Sequence, residues 1–398
     1  MILPNTRQSL ELGDIFRDYG SAYRASHSLP LYQLKAMGAI EACRTQILGG
    51  HLEVCENCGV EVPAYNSCRN RHCPKCGWLV KEKWLMARKN ELLPVSYFHV
   101  VLTLPDLLNP LVLYNQRQMY DLLFRAGSET LLALGRDPKH LGGEVGFIAI
   151  LHTWGQNLID HPHLHCLMPC GGLSEDEMEW NYPKKSKKKK KFFVHVHVIS
   201  DLFKKKYLHY LNEAYQAGEL KLEGEIAHLE QRAEFKQLLD KLYEKQWVTY
   251  CKNPLGGPEL VLEYLSRYIH RVAISNHRLI KIEDGRVYFK WKNYRKGDRL
   301  ETTSLEVNEF IRRFLLHILP PGYFRIRYYG LLASRNREKL RLCQEILGAV
   351  PLSKDSENHE EKSWQELFWE LTGIEPERCP YCKKGRLITI ARLKPVPP

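Results

Sequence analysis

The stretch HPHLHCLMP, residues 161 to 169, carries histidines at its first, third and fifth positions. It follows VGFIAILHTW, residues 145 to 154, and both stretches have the apolar, aromatic and β-branched composition of strands. Alternate side chains of a strand point to the same side of a sheet. The sequence therefore predicts two successive strands, with His161, His163 and His165 projecting together from the second.

Further elements occur in mixed order around these strands. Apolar periodicity and β-branched runs predict, in chain order, helices over 8 to 50 and 78 to 93, a strand over 96 to 105, a helix over 109 to 135, helices over 200 to 243 and a strand over 246 to 251. The turn EDGR, residues 283 to 286, predicts a hairpin. This order is typical of an α+β fold with an antiparallel sheet and helices around it.

Charge and composition limit the classes of protein that fit. Of 398 residues, 58 are Lys or Arg and 46 are Asp or Glu, and the net charge of +12 favours a polyanionic partner such as nucleic acid. The N-terminal sequence lacks a signal-peptide pattern, and no run reaches the roughly 18 apolar residues of a membrane span. We therefore expect a soluble cytoplasmic protein, associated with the nucleoid and without a membrane partner.

The segment CENCGVEVPAYNSCRNRHCPKC, which begins at residue 55, contains two CxxC pairs. Each CxxC turn points two thiolates at one tetrahedral ion, so two turns complete a closed structural zinc site. The predicted Zn²⁺ ligands are Cys55, Cys58, Cys73 and Cys76, with Cys68 and His72 as alternative or additional ligands. Nearby Arg and Lys residues make this module a candidate reader of DNA ends, with protein or RNA as alternative partners of a zinc ribbon.

A third CxxC pair, Cys379 and Cys382, lies near the C-terminus. Two cysteines are only half of a zinc site. From the sequence alone the pair is either part of a second site with unnamed partners or two ordinary cysteines.

The alternating histidines are candidate ligands of a divalent metal such as Mg²⁺ or Mn²⁺, because neutral imidazoles on one face of a strand converge on one ion. His163 and His165 form the core of this predicted site. His161, Gln156 and His152 are candidates for the third ligand, and His161 is favoured because it faces the same side of the strand.

A rival histidine pair occurs in FFVHVHV, where His195 and His197 have the same spacing. This pair lacks a third alternate histidine and directly follows the lysine run KKSKKKKK of residues 184 to 191. The lysine run is expected to be a solvated loop or a non-specific contact to phosphates.

The segment EYLSRYIHRVAIS contains candidate nucleophiles for a metal-dependent reaction. Tyr264 and Tyr268 share one helical face, and Arg267 and Arg271 share an adjacent one, suited to holding phosphate oxygens. A tyrosine hydroxyl that attacks a metal-polarised phosphate leaves a 5′-phosphotyrosine and a free 3′-OH. No Gly-Lys dipeptide occurs, so there is no P-loop and no nucleotide cofactor is expected.

The sequence resembles the two-tyrosine HUH transposases of rolling-circle insertion sequences, the IS-ninety-one type. The likeness rests on LGGHLEVCENCG, SCRNRHCPKC, LHTWGQNLIDHPHLHCLMPCGGL, YLSRYIHRVAISNHRL and FIRRFLLHILPPGYFRIRYYGLLAS, in this order. It implies metal-dependent nicking and strand transfer on single-stranded DNA at transposon ends and targets. Carried over by position, His163 and His165 would be metal ligands, and Tyr264 and Tyr268 nucleophiles.

The resemblance implies a division of the predicted fold into domains. A helical and zinc-ribbon N-terminal module for DNA recognition is expected over residues 1 to 94. An HUH-type antiparallel-sheet nuclease domain with surrounding helices is expected over 95 to 350, and a linker and tail with a CxxC over 351 to 398. The oligomeric state is not predicted.

Two alternatives stay open at this point. A plasmid rolling-circle replication initiator or relaxase would use the same chemistry at an origin. A non-catalytic zinc-ribbon nucleic-acid-binding protein would use tyrosines to stack on bases. The stretches VYFKWKNYRK and YFRIRYYG, the second containing Arg325 and Arg327, are either a track for single-stranded DNA or strands with solvent-facing charges.

Overall fold

The computed structural model describes residues 10–89, 91–183, 193–255, 260–261, 272–293, 297, 299–349, 363–373 and 375–396. The chain separates into two compact units. The first unit comprises Met1–Lys83, His270–Ile318 and Leu352–Pro398, and the second comprises Trp84–Ile269 and Leu319–Pro351. Both units are thus assembled from segments that are distant in sequence. The domain boundaries at residues 94 and 350 stay a prediction, since compact units and independently folding domains are different things.

Helices and antiparallel strands alternate along the described residues, which confirms the α+β prediction. The helices are α1 (Leu12–Ser26), α2 (Leu31–Ala42), α3 (Gly77–Lys89), α4 (Asn109–Tyr114), α5 (Gln116–Arg136), α6 (Val196–Gln216), α7 (Arg232–Glu244), α8 (Val307–Leu316), α9 (Arg337–Ile346) and α10 (Trp364–Thr372). The strands are β1 (Gly50–Cys55), β2 (Glu61–Tyr65), β3 (Tyr97–Thr103), β4 (Gly146–Trp154), β5 (Asp160–Pro169), β6 (Gly172–Leu173), β7 (Trp180–Asn181), β8 (Thr249–Leu255), β9 (Leu279–Glu283), β10 (Arg286–Asn293), β11 (Arg299–Glu306), β12 (Ile326–Gly330) and β13 (Leu387–Leu393).

The second unit is built on an antiparallel sheet whose described strands lie in the order β12-β4-β5-β3-β8. All nine residues of β4 are buried, because apolar clusters cover both faces of the sheet. Phe147 and Leu151 belong to the cluster that includes residues of α5 and α6. Ile148 and Ile150 belong to the cluster on the other face, as strand alternation requires.

The first unit contains two smaller antiparallel sheets, in the orders β13-β1-β2 and β11-β10-β9. The predicted EDGR hairpin is confirmed, because β9 and β10 are paired across it. Asp284 and Gly285 have φ values of 50° and 69°, the left-handed conformation that a tight two-residue hairpin turn needs. The C-terminal strand β13 completes the sheet that begins with β1, so this unit uses both ends of the chain.

One local prediction differs from the structure, and one stretch with an alternating pattern is helical. The helical stretch over 8 to 50 divides into α1 and α2, with Pro30 as the residue before α2, and β1 already begins at Gly50. The alternating pattern of FFVHVHV is that of a strand, but Val196 begins α6 and His195 is its N-cap. Local alternation was overridden because the apolar residues Ile199, Phe203 and Tyr207, farther along, bury one face of a helix.

Candidate functional site

Three histidines on two neighbouring strands converge in the second unit. The ligand nitrogens of His152 on β4 and of His163 and His165 on β5 all lie within 4.8 Å of one another. Antiparallel pairing sets His152 opposite His163 and Ile150 opposite His165. The three residues, named here the histidine cluster, therefore share the sheet face of Ile150, while Leu164 packs into the opposite core.

A hydrogen bond to a carbonyl oxygen fixes the proton position on one of these rings. His163 Nδ1 lies 2.5 Å from the carbonyl oxygen of His161, which can only accept, so Nδ1 carries the proton and Nε2 presents a lone pair. The Nε2 atoms of His163 and His165 are 3.0 Å apart. His165 Nδ1 lies 2.8 Å from Nε2 of His99, a buried residue on β3. If His165 Nδ1 donates to His99, both facing Nε2 atoms present lone pairs.

This arrangement fits a metal ion. Two nitrogens that each lie about 2.1 Å from one ion are about 3.0 to 3.4 Å apart, for angles at the ion between octahedral and tetrahedral. The observed separation of 3.0 Å falls at the lower end of this range. His163 and His152 are buried and His165 is partly exposed, so solvent reaches the cluster at His165.

The structure brings His152, not His161, into the cluster. Between the pairs Trp154 with Asp160 and His152 with His163, β5 contains one more residue than β4. A bulge of this kind breaks the alternation on which the prediction for His161 rested. The side chain of His161 is exposed, while its carbonyl oxygen positions the ring of His163.

The rival pair does not form a comparable group. His195 and His197 stack with ring centroids 5.1 Å apart at the start of α6. Among the described residues, no third His, Cys, Asp or Glu joins them at ligand distance.

The predicted nucleophiles Tyr264 and Tyr268, and the predicted phosphate contacts Arg267 and Arg271, lie outside the described residues. The described residue nearest before them is Val261, which is helical and fully buried. Val261 belongs to the apolar cluster that contains Ile148 and Ile150, on the sheet face of the histidine cluster.

The cysteines of the first unit form two groups of four. The first cysteine cluster consists of Cys43, Cys68, Cys73 and Cys76, and the second consists of Cys55, Cys58, Cys379 and Cys382. The two CxxC pairs of the N-terminal segment thus do not meet at one point. The hairpin of β1 and β2 separates them, because Cys55 ends β1 whereas Cys73 and Cys76 lie in the turns before α3.

Each predicted additional ligand also has a defined place. Cys68 belongs to the first cysteine cluster, with its Sγ 3.6 Å from that of Cys76. His72 is not a member, and its Nε2 accepts a hydrogen bond from Nε of Arg71. Cys43, at the end of α2, was missed in the sequence because a cysteine outside any CxxC pair gives no local signal.

Hydrogen bonding lowers the pKa of one cysteine in each cluster toward or below neutral pH. Hydrogen bonding from the Cys68 thiol, followed by that from Cys73, lowers the pKa of Cys43 to about 7. Backbone N–H groups of Gly385 and Lys384 lower the pKa of Cys382 to about 6. Because the thiolate is the form that binds metal, at least one ligand in each cluster is prepared near neutral pH.

In the stretch that contains Arg325 and Arg327, the first arginine is buried and the second is only partly exposed. Arg325 is only 8% exposed. The Arg327 guanidinium pairs with Asp121 and lies 4.1 Å from the centroid of the Phe124 ring. Both arginines therefore take part in packing the second unit, which local charge patterning could not distinguish from a DNA track.

Comparison with known proteins identifies the family. A family model described as "Transposase zinc-binding domain" matches residues 15–104, and one described as "Putative transposase" matches residues 146–339. The second range contains the histidine cluster, and the first contains the first cysteine cluster together with Cys55 and Cys58. No solved structure matches.

Two relatives match over most of their length. The "Putative transposase y4qJ" of Sinorhizobium fredii is 49% identical over 386 residues, which are 96% of each chain. The "Transposase for insertion sequence element IS801" of Pseudomonas savastanoi pv. phaseolicola is 30% identical over 302 residues, 74% of this chain and 68% of that one. The resemblance seen in the sequence is thereby confirmed, and the chain belongs to the family of insertion-sequence transposases that carry an N-terminal zinc-binding domain.

Proposed function

We propose that this transposase nicks single-stranded DNA at the ends of its insertion sequence and transfers the strand through 5′-phosphotyrosine intermediates, as in rolling-circle transposition. The observation that carries the proposal is the convergence of His152, His163 and His165 on one point of the sheet. A buried structural histidine needs hydrogen-bond partners, but it has no need of two further imidazole nitrogens within 4.8 Å.

The histidine cluster would hold Mg²⁺ or Mn²⁺. When bound, such an ion polarises the scissile phosphate and offsets the charge that develops on it. The protein's own contribution is to keep the ligand lone pairs directed inward. His161 does so through its carbonyl oxygen, and His99 does so through its ring nitrogen.

The nucleophile would be Tyr264 or Tyr268. The tyrosine oxygen forms a bond to phosphorus as its proton leaves, and the bond from phosphorus to the 3′ oxygen breaks, so that the leaving oxygen takes up a proton. The new phosphotyrosine keeps the energy of the phosphodiester, and therefore no nucleotide cofactor is required. Two tyrosines permit two successive transfers, and Arg267 and Arg271 would hold phosphate oxygens.

The position of Val261 supports this assignment. Val261 precedes Tyr264 by three residues and lies in the apolar cluster on the sheet face that also carries the histidines. The net charge of +12 supports a DNA partner. We further propose that the zinc-binding unit recognises the element ends and that the protein acts on DNA in the nucleoid.

The relatives and the structure favour this proposal over the two alternatives. Both relatives are named as transposases, whereas an initiator or relaxase would cut a plasmid origin. A non-catalytic zinc-ribbon protein would have no use for the histidine cluster of the second unit.

The test is a covalent adduct between protein and DNA. Purified protein would be incubated with 5′- or 3′-labelled single-stranded DNA from the element ends and Mn²⁺, and resolved under denaturing conditions. Wild type should give a metal-dependent adduct, which the double variant Tyr264→Phe with Tyr268→Phe and the double variant His163→Ala with His165→Ala should both lose. The single tyrosine variants would order the nucleophiles.

Matched controls are available in the same unit. The pair His195→Ala with His197→Ala has the same spacing as the proposed ligands, and Tyr243→Phe changes an exposed tyrosine of α7. Both controls should leave adduct formation within about twofold of wild type, as is usual for surface substitutions. Tight DNA binding without an adduct on any strand would overturn the proposed chemistry.

A further inference from the structure

Two pairs of cysteines from opposite ends of the chain meet in the first unit. Cys55 Sγ lies 3.7 Å from Cys382 Sγ, and Cys58 Sγ lies 3.8 Å from Cys379 Sγ. Four sulfurs at about 2.3 Å from a tetrahedral zinc ion are about 3.8 Å from one another. The observed spacing matches that of zinc ligands. It is far longer than the roughly 2.05 Å of a disulfide bond, and all four cysteines are free.

The backbone around these sulfurs is shaped to bring the two turns together. A Cβ atom added at Gly385 would lie 2.6 Å from Cys55 Sγ and 2.5 Å from the Cβ of Asn57. No side chain fits there, so glycine permits the C-terminal turn to close on the N-terminal one. The N–H of Gly385 also lies 3.4 Å from Cys382 Sγ and donates to it, a contact that supports a thiolate ligand.

Strand pairing holds the two turns at this distance. β13 pairs with β1 in antiparallel register from Gly50 with Leu393 to Cys55 with Leu387. The ladder continues toward the cysteines, where the N–H of Glu56 donates to the carbonyl oxygen of Arg386 at 3.0 Å. Within the C-terminal turn the N–H of Cys379 donates to the carbonyl oxygen of Gly385 at 2.9 Å. The four sulfurs are therefore positioned by strand pairing, which is interrupted by one bulge between Leu52 and Glu53, and not by chance proximity of two loops.

We propose that Cys55, Cys58, Cys379 and Cys382 form a second structural zinc site, separate from the first cysteine cluster. Zinc is the ion of choice because a closed set of four thiolates in tetrahedral arrangement is its typical structural site. The zinc-binding unit is then not confined to residues 15–104, since one of its two ions takes half of its ligands from the last twenty residues of the chain. This inference is independent of the strand-transfer proposal and survives if that proposal fails.

The experiment counts zinc in the full-length chain. His163→Ala and His165→Ala would be present throughout, so that the histidine cluster takes up no zinc. This background protein should contain two zinc ions per chain by elemental analysis. Adding Cys379→Ser and Cys382→Ser should reduce the content to one, whereas adding Cys251→Ser, which changes a cysteine of β8 outside both clusters, should leave it at two.

Two further measurements separate coordination from misfolding. Cys382→His replaces one ligand by another and should retain two zinc ions. In cobalt-substituted protein, the visible absorption of tetrahedral thiolate sites should fall by about half in the double serine variant. The proposal would be overturned if the background protein contained one zinc ion or the double serine variant contained two. It would also be overturned if Cys382→His lost zinc, or if the protein contained iron in place of zinc.

Discussion

The histidine cluster and the second cysteine cluster both gather ligand atoms at one point, but over very different distances along the chain. The histidines lie on two consecutive strands of one hairpin. The cysteines are drawn from positions 321 and 327 residues apart. A site within a hairpin needs only correct register, whereas the cysteine site needs the two ends of the chain to pair first. The two sites should therefore be sensitive to different substitutions, because the histidine cluster depends on the register of two neighbouring strands and the cysteine cluster depends on long-range strand pairing.

Substitutions in the first cysteine cluster should destabilise the protein most strongly. Cys73→Ser with Cys76→Ser would remove half of its ligands, and apparent binding free energies of structural zinc are about 10 to 16 kcal/mol. Because a domain is typically stable by only about 5 to 15 kcal/mol, we expect the first unit to unfold. Hydrogen exchange should show lost protection in α1, α2 and β1 and retained protection in β3, β4 and α5. Retained protection in α1 and α2 would show that this cluster is not structural.

The next effect distinguishes His152 from His161. His152→Ala should weaken Mn²⁺ binding about 100-fold, since it removes a ligand, an effect at least as large as losing an outer-shell partner. His161→Ala keeps the carbonyl oxygen that orients His163 and should change affinity by less than about threefold, as expected of an exposed side chain. Calorimetric titration of Mn²⁺ into each variant would measure both. An equal loss of Mn²⁺ affinity in the two variants would show that His161 is also a ligand, as strand alternation predicts.

His99 tests how the hairpin site is supported from the neighbouring strand. His99→Phe keeps an aromatic ring in the buried position but removes the ring nitrogen that is hydrogen-bonded to His165 Nδ1. Loss of such a partner typically costs about 10- to 100-fold in metal affinity. We expect weaker Mn²⁺ binding with the thermal unfolding of the protein little changed, and His99→Gln should recover part of the affinity. An unchanged dissociation constant in the phenylalanine variant would remove His99 from this role.

The smallest effect concerns the fit of the two chain ends. Gly385→Ala places a methyl group against Cys55 Sγ and Asn57, and overpacking of this kind costs about 1 to 3 kcal/mol. The matched control is Gly38→Ala, where the added Cβ would meet nothing within 4 Å and the helix α2 should gain about 0.5 to 1 kcal/mol. Chemical denaturation, monitored through the release of zinc, would compare the stability of the two variants. If both variants were equally stable, the close approach at Gly385 would not matter.

The sequence predicted what is encoded locally. Strand alternation predicted that His163 and His165 lie on one face of the sheet, and the CxxC spacing predicted that the two cysteines of each pair lie together. The sequence did not predict which CxxC pairs share a site. A CxxC pair has the same local sequence whether it joins the next pair along the chain or cysteines that are distant in sequence. His152 required the register of β4 against β5, including its bulge, and the sequence alone does not specify where the bulge lies.

Burial was the other quantity that local patterns could not supply. Arg325 and Arg327 lie in a basic and aromatic stretch, yet one is buried and the other is packed against Phe124. Whether a charged strand residue faces solvent depends on what covers the edge of the sheet, which is decided by distant segments. No described helix is both long and apolar enough to cross a membrane.

The pairing of β1 with β13 also has a consequence for synthesis of the chain. β1 lies between β13 and β2 in the finished sheet, so one of its edges stays unpaired until the C-terminal residues have been made. About 330 residues separate the two strands. At a translation rate of roughly 5 to 20 residues per second, this edge of β1 stays unpaired for on the order of half a minute. During this time it can pair with other strands. A nascent chain therefore completes this sheet only after about 330 residues beyond β1 have been synthesised.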